Sequence, residues 1–103
     1  MLRIALIDDR KFGMKQIRHL HDGENICLEY FETFKSFKES GKMFDVVYLD
    51  YHLKKDKITS DTVLDEVKKQ TKKVVGFSVN PVMSKKLEKL GADDAIWKKP
   101  SFH

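Results

Sequence analysis

The sequence predicts an α/β fold: a doubly wound parallel sheet of five strands with helices on both faces. Three observations predict it. Short apolar runs rich in Ile, Val, Leu and aromatic residues, Leu2–Ile7 and Phe44–Leu49, read as strands buried on both faces. Such runs alternate with segments of helical periodicity, the pattern of βα units. Both runs also end on acids, Asp8-Asp9 after the first and Asp50 after the second. In open α/β sheets the ligand crevice lies beyond the carboxyl ends of the strands, where these acids fall.

Taken in order, the first strand spans Leu2–Ile7. A helix over about Lys11–His21 follows, with Phe12, Ile17 and Leu20 inward and Gly23 just past its end. The second strand is Ile26–Phe31, alternating Ile26, Leu28 and Tyr30 on one face. Cys27 is expected there as a small core residue. As the single cysteine of the chain it has no intrachain partner and fits a reducing compartment. Thr33 caps a short helix carrying Phe34 and Phe37, which stops at Gly41. Phe44–Leu49 is the third and central strand, followed by a long polar loop over Tyr51–Thr59. Thr59 or Ser60 then caps a helix whose Val63, Leu64 and Val67 share a face. Val74–Phe77 is the fourth strand. Pro81 and Ser84 open a helix with Met83, Leu87 and Leu90, ended at Gly91, and Ala95–Trp97 is the fifth strand. Right-handed crossovers give the flavodoxin-like strand order 2-1-3-4-5. That order makes strands one, three and four neighbours, so Asp8-Asp9, Asp50 and Ser78 converge.

The length of 103 residues allows one domain, residues 1–103. No apolar stretch approaches the roughly 20 residues of a membrane span. The first strand starts at once, so no signal peptide is expected, and the expected location is cytoplasmic. The net charge is +4. The lysine clusters, among them Lys68-Lys69 and Lys85-Lys86-Lys89, alternate with acids such as Asp65, Glu66 and Glu88. No aromatic residues are interleaved as stacking platforms, so these are solvated helix faces rather than a nucleic-acid surface.

Three carboxylates at neighbouring strand ends are costly unless a cation neutralises them. Hard oxygen ligands that leave room for waters and a phosphate suit Mg²⁺. The same crevice is expected to receive Ser78 and Lys99, a hydroxyl and an ammonium suited to phosphoryl oxygens.

Asp8-Asp9, Asp50, Ser78 and Lys99-Pro100, in this order and at strand ends, resemble the receiver domain of two-component response regulators. The resemblance runs from Leu2 to Pro100. It implies Asp50 as phosphoacceptor and Mg²⁺ held by Asp9 directly, by Asp8 through water, by Asp50 and by the backbone carbonyl of His52. It implies that Lys99 pairs with the carboxylate and then with a phosphoryl oxygen, and that Ser78 bonds another. Lys98 is the alternative, favoured by its separation from Gly91-Ala92-Asp93-Asp94; the following proline and the spacing from Ser78 favour Lys99. Asn80 and the His52 side chain occupy positions that tune hydrolysis, and Val79 stands where a small residue is usual. Ile96 stands where such domains carry a switching Tyr or Phe. Lys54 replaces a common proline, so the loop after Asp50 is expected to be mobile.

The chain ends at His103 where receivers add a fifth helix, so either the C-terminal helix is absent, which is the expectation, or the chain is a piece of a longer one. Apolar side chains, with Val75, Phe77 and Trp97 as candidates, are then left open, to be covered by a second copy or a partner helix, most simply in a two-fold homodimer, or in a monomer by Ser101-Phe102-His103 folding back. The function implied is a stand-alone receiver. A histidine kinase or phosphotransfer protein passes a phosphoryl group to Asp50, and contacts with a downstream protein change. Such a chain catalyses its own phosphorylation and dephosphorylation rather than turning over a substrate. A phosphorylation-independent adaptor is the alternative. A Mg²⁺-dependent phosphatase would want a second acid close after the nucleophile, and Tyr51-His52-Leu53 offers none.

Overall fold

The structure, a computed structural model, describes residues 1–100. In chain order the elements are β1 (Leu2–Ile7), α1 (Met14–Leu20), β2 (Ile26–Phe31), α2 (Phe34–Ser40), β3 (Phe44–Leu49), β4 (His52–Leu53) and β5 (Ile58–Thr59). A 3₁₀ turn (Ser60–Thr62), α3 (Leu64–Lys68), β6 (Thr71–Ser78), α4 (Pro81–Lys89) and β7 (Asp94–Trp97) complete them. Five parallel strands form one sheet in the order β2-β1-β3-β6-β7. With the small antiparallel pair β4-β5 set aside, this is the expected 2-1-3-4-5 order. Among the described residues no helix is long and apolar enough to cross a membrane.

Strand alternation sorts the apolar residues into two layers. Ala5, Ile7, Val47, Leu49 and Val74 face one way and bury against Phe37 of α2, Leu64 and Val67 of α3 and Leu87 of α4. Ile4, Leu6, Tyr48, Val75 and Phe77 face the other way and bury against Ile17 of α1. On the first face α4 lies so close to β6 that a Cβ added at Gly76 would sit 2.7 Å from the Ser84 carbonyl oxygen. Glycine is what lets these two backbones meet.

Several expectations change. Helix α1 begins at Met14 rather than Lys11, and its N-cap Gly13 lies against the sheet: an added Cβ would lie 2.8 Å from a Phe77 ring carbon. Ile17 is fully buried, whereas Phe12 and Leu20 keep about two fifths of their surface exposed. Cys27 is exposed rather than in the core. It lies on the edge strand β2, two residues from Glu29, which is ion-paired with Lys42 at 3.0 Å.

The expected mobile loop 51–59 is a tied hairpin. Leu53 is buried and Ile58 packs on the core. Asp56 reaches across to accept the Phe34 and Lys35 amides at 2.7 and 3.2 Å, at the start of α2. Thr33 caps the same helix, and Gly41 ends it with φ 62°.

The opening expected on the α1 face is absent at Val75 and Phe77, and Trp97, next to Ile96 of the α1-face core, points to the opposite face. Val75 is 2% and Phe77 0% exposed, while Trp97 is 47% exposed. Tyr48 closes the gap, its ring 5.3 Å from that of Phe77 and its hydroxyl 2.7 Å from His21 Nε2. The apolar surface on which the expected homodimer rests is therefore not open at Val75 and Phe77. The alternative cover, Ser101-Phe102-His103, lies outside the described residues.

Candidate functional site

The register of the sheet builds the acidic cluster. Ile7 of β1 stands opposite Leu49 of β3, so the next residue of each strand, Asp8 and Asp50, emerges at the same edge. The Asp50 amide donates to the Ile7 carbonyl at 3.0 Å and extends the ladder by one residue. Asp8 is fully buried, and its carboxylate accepts the Arg10 amide at 3.0 Å. Asp50 Oδ1 accepts the Tyr51 amide at 3.0 Å. Asp9 is half-buried beside them. One oxygen from each of Asp8, Asp9 and Asp50 lies within 4.8 Å of the others.

The electrostatics follow from burial and crowding. Burial pushes the Asp8 carboxyl up to about 7; the nearby Asp50 adds to the rise and Lys98 opposes it. Burial also raises Asp50, against the Lys98 ammonium and the Tyr51 amide, which lower it. One ammonium faces three carboxylates, so the cluster stays anionic. Its donors are all hard oxygens, a set that fits a divalent cation such as Mg²⁺.

Lys98, not Lys99, enters the cluster. Its ammonium bonds Asp8 Oδ2 and lies 3.7 Å from Asp50 Oδ1, and the residue is 2% exposed. The reason is strand alternation. Lys98 shares parity with Ile96, which packs on the α1 face, and that face also carries Asp8. Lys99 is exposed, and its amide donates to Gln16 Oε1 at 2.9 Å. The proline after Lys99 marks the motif, but the pleat decides which lysine reaches the crevice. The stem of Lys98 passes Gly13, and its ammonium sits 4.9 Å from the centre of the Phe12 ring.

The remaining residues surround a cleft of about 460 Å³ lined by Asp9, Asp50, His52, Ser78, Asn80 and Lys98, with Val79 at its rim. Ser78 is buried at the end of β6; its hydroxyl oxygen accepts the Asn80 amide at 3.2 Å, which leaves the O–H to donate. The Ser78 amide donates to Ser84 Oγ at 2.8 Å, and that hydroxyl donates to the Ile96 carbonyl at 3.1 Å. Asn80 is the N-cap of α4, its side-chain oxygen accepting the Val82 amide at 3.0 Å. Val79 is exposed, and its carbonyl accepts the Trp97 indole N–H at 2.9 Å. His52 is exposed, with its ring edge-on to Tyr51 at 5.0 Å. Ile96 packs on the α1-face core and does not line the cleft.

Sequence reasoning missed Gln16. It is buried on α1, and its carboxamide bonds the backbone on both sides of Lys98. No local pattern marks it, because its partners are main-chain atoms more than eighty residues away.

No family model matches the chain, and no curated protein matches it. Solved structures do match, two of them of one protein. One is the response regulator DrrB of Thermotoga maritima, described as an OmpR/PhoB homolog: 24% identity and a TM-score of 0.70 over 98% of this chain and 46% of that one. The other is the BeF3-activated receiver domain of DrrB: 24% identity and a TM-score of 0.68 over 99% of this chain and 87% of that one. The chain thus spans about half the length of the first of these proteins. Strand order, the acidic edge between β1 and β3 and these likenesses converge on one architecture: the chain has the fold of a response-regulator receiver domain.

Proposed function

We propose that the chain is a phosphoacceptor switch, receiving a phosphoryl group on Asp50 from the phosphohistidine of a kinase or phosphotransfer protein in the cytoplasm. The observation that carries this reading is the juxtaposition of three carboxylates with the Lys98 ammonium at the carboxyl edge of the sheet. In the transfer, an oxygen of Asp50 forms a bond to phosphorus as the P–N bond to the donor imidazole breaks, and the imidazole leaves with its electron pair and takes up a proton. The Tyr51 amide holds Asp50 Oδ1 and so orients the carboxylate.

Lys98 stands close enough to Asp50 to take up a phosphoryl oxygen as charge builds there, and the Ser78 O–H donates to another. Lys98 thereby takes the role expected of Lys99. Asp9, Asp50 and the His52 carbonyl would hold Mg²⁺ directly, with buried Asp8 acting through water. Bound Mg²⁺ supplies the neutralisation that lets a carboxylate approach an anionic phosphoryl group. With Lys98 as the site lysine, the residue three before it is Ala95, so no aromatic residue occupies the usual switch position. Asn80 caps α4 through its side-chain oxygen, which leaves its NH₂ group and the exposed His52 side chain as the groups at the cleft that modulate hydrolysis.

Incubation with Mg²⁺ and acetyl phosphate, followed by peptide mapping, tests the reading. The phosphate is expected on the peptide containing Asp50, without continuing turnover of the donor. A protein that takes no label supports the adaptor reading, and label mapped elsewhere removes Asp50 as the acceptor.

A further inference from the structure

We infer that Gln16 is a positioning residue: its carboxamide fixes the backbone of Lys98 and so sets where the ammonium meets the carboxylates. The chemical meaning of the clamp rests on the receiver reading above. Gln16 is 4% exposed. Its Nε2 donates to the Trp97 carbonyl at 2.8 Å, and its Oε1 accepts the Lys99 amide at 2.9 Å. These two groups flank Lys98. A residue of a parallel strand engages its neighbour in this same pattern, donating to the residue before its partner and accepting from the residue after it. The side chain of Gln16 therefore stands in for one residue of a further strand, on the free edge of β7 and opposite Lys98.

On its other side, Lys98 donates its own amide to the Ser78 carbonyl at 2.9 Å. The lysine backbone is thus held from both edges, and its stem is confined by Gly13 and Phe12. An ammonium on a flexible four-carbon stem gains a defined position only if its root is fixed. A buried carboxamide is costly unless both its ends are bonded, and here both ends are bonded to the flanks of the site lysine. Packing alone would be served as well by a methionine.

Gln16→Met keeps length and volume and removes both bonds. At saturating Mg²⁺ and acetyl phosphate, labelling of Asp50 is expected to slow at least ~tenfold, the scale of effect of a displaced catalytic group, while Mg²⁺ affinity stays the same. In a Lys98→Met background, Gln16→Met should give no further slowing. Equal slowing in both backgrounds, or no slowing in the Gln16→Met single variant, overturns the proposal. Should Gln16→Met fail to fold, Gln16→Glu in its ionised form retains the acceptor for the Lys99 amide but cannot donate to Trp97; labelling slower than in the wild type is expected, and an unchanged rate overturns the proposal.

Failure of the receiver reading is separately visible as a wild type that takes no phosphate. The clamp is then decided in the metal-free protein by the ¹⁵N signal of the Lys98 ammonium, with wild type compared against the Gln16 variant. A sharp signal is expected in the wild type and a broadened or lost one in the variant, and an unchanged signal overturns the proposal.

Discussion

Two adjacent lysines with opposite fates show what the residue scale decides. Lys98 neutralises a buried acid, and Lys99 lies at the surface. Removing one partner of a buried ion pair leaves the other charge stranded. Lys98→Met is therefore expected to cost about 3 kcal/mol in weak alkali, where Asp8 is ionised in the wild type, and Lys99→Met less than about 0.5 kcal/mol, both read by urea unfolding. The Lys98→Met loss should shrink in mild acid, where Asp8 takes a proton and no longer needs a counter-charge.

The wild type has its own pH signature. The folded protein holds a proton on Asp8 up to about pH 7, against an ordinary aspartate value of 3.8. Stability from this raised value is fully present below the unfolded value and is lost as pH rises through about 7. Metal-free protein should therefore lose stability from Asp8 as pH rises from 3.8 to about 7, and Mg²⁺ should restore it. Saturating Mg²⁺ is expected to add ~1–3 kcal/mol, and Asp9→Asn to remove most of that gain; equal melting shifts in both proteins would rule out the metal assignment. The acids were legible because each closes an apolar run. The lysine was misread because the Lys-Pro pair outweighed the two-residue period of the strand, and Gln16 was invisible because its partners are distant main-chain atoms.

At the scale of elements, the hairpin β4-β5 was the least legible part. Its strands are two residues each, and the lysines between them read as solvated loop. What orders it is non-local: Leu53 enters the core and Asp56 caps a helix far away in sequence. Asp56→Ala should cost about 1 kcal/mol, the usual loss of an N-terminal cap, and should raise amide exchange in both the hairpin and the first turn of α2. If exchange rises in the hairpin alone, Asp56 is not the tie between them. Gly76→Ala should cost ~1–3 kcal/mol through overpacking, because the new methyl group meets the α4 backbone rather than a mobile side chain. Longer elements fared better. The runs Leu2–Ile7, Ile26–Phe31 and Phe44–Leu49 match their strands end to end, and Thr33 and Gly41 bracket α2 as expected.

For the whole molecule, alternation of strand and helix together with right-handed crossovers was enough to order the sheet. Which side chains would close the α1 face was not legible, since a pattern of apolar strands does not say which face each residue takes. Tyr48, tied to His21 across the end of α1, does that closing. The sheet order in turn places Asp8, Asp50 and Lys98 at one edge, and the central claim is that this edge accepts a phosphoryl group at Asp50. The most direct measurement is the intact mass over time in acetyl phosphate, with Mg²⁺ and with Mg²⁺ chelated. The wild type should take up phosphate slowly and near-stoichiometrically with Mg²⁺ alone; Asp50→Asn should take up none, Lys98→Met should be slowed and Lys99→Met should match the wild type. Uptake that persists in Asp50→Asn, or that depends on Lys99 and not on Lys98, would contradict it.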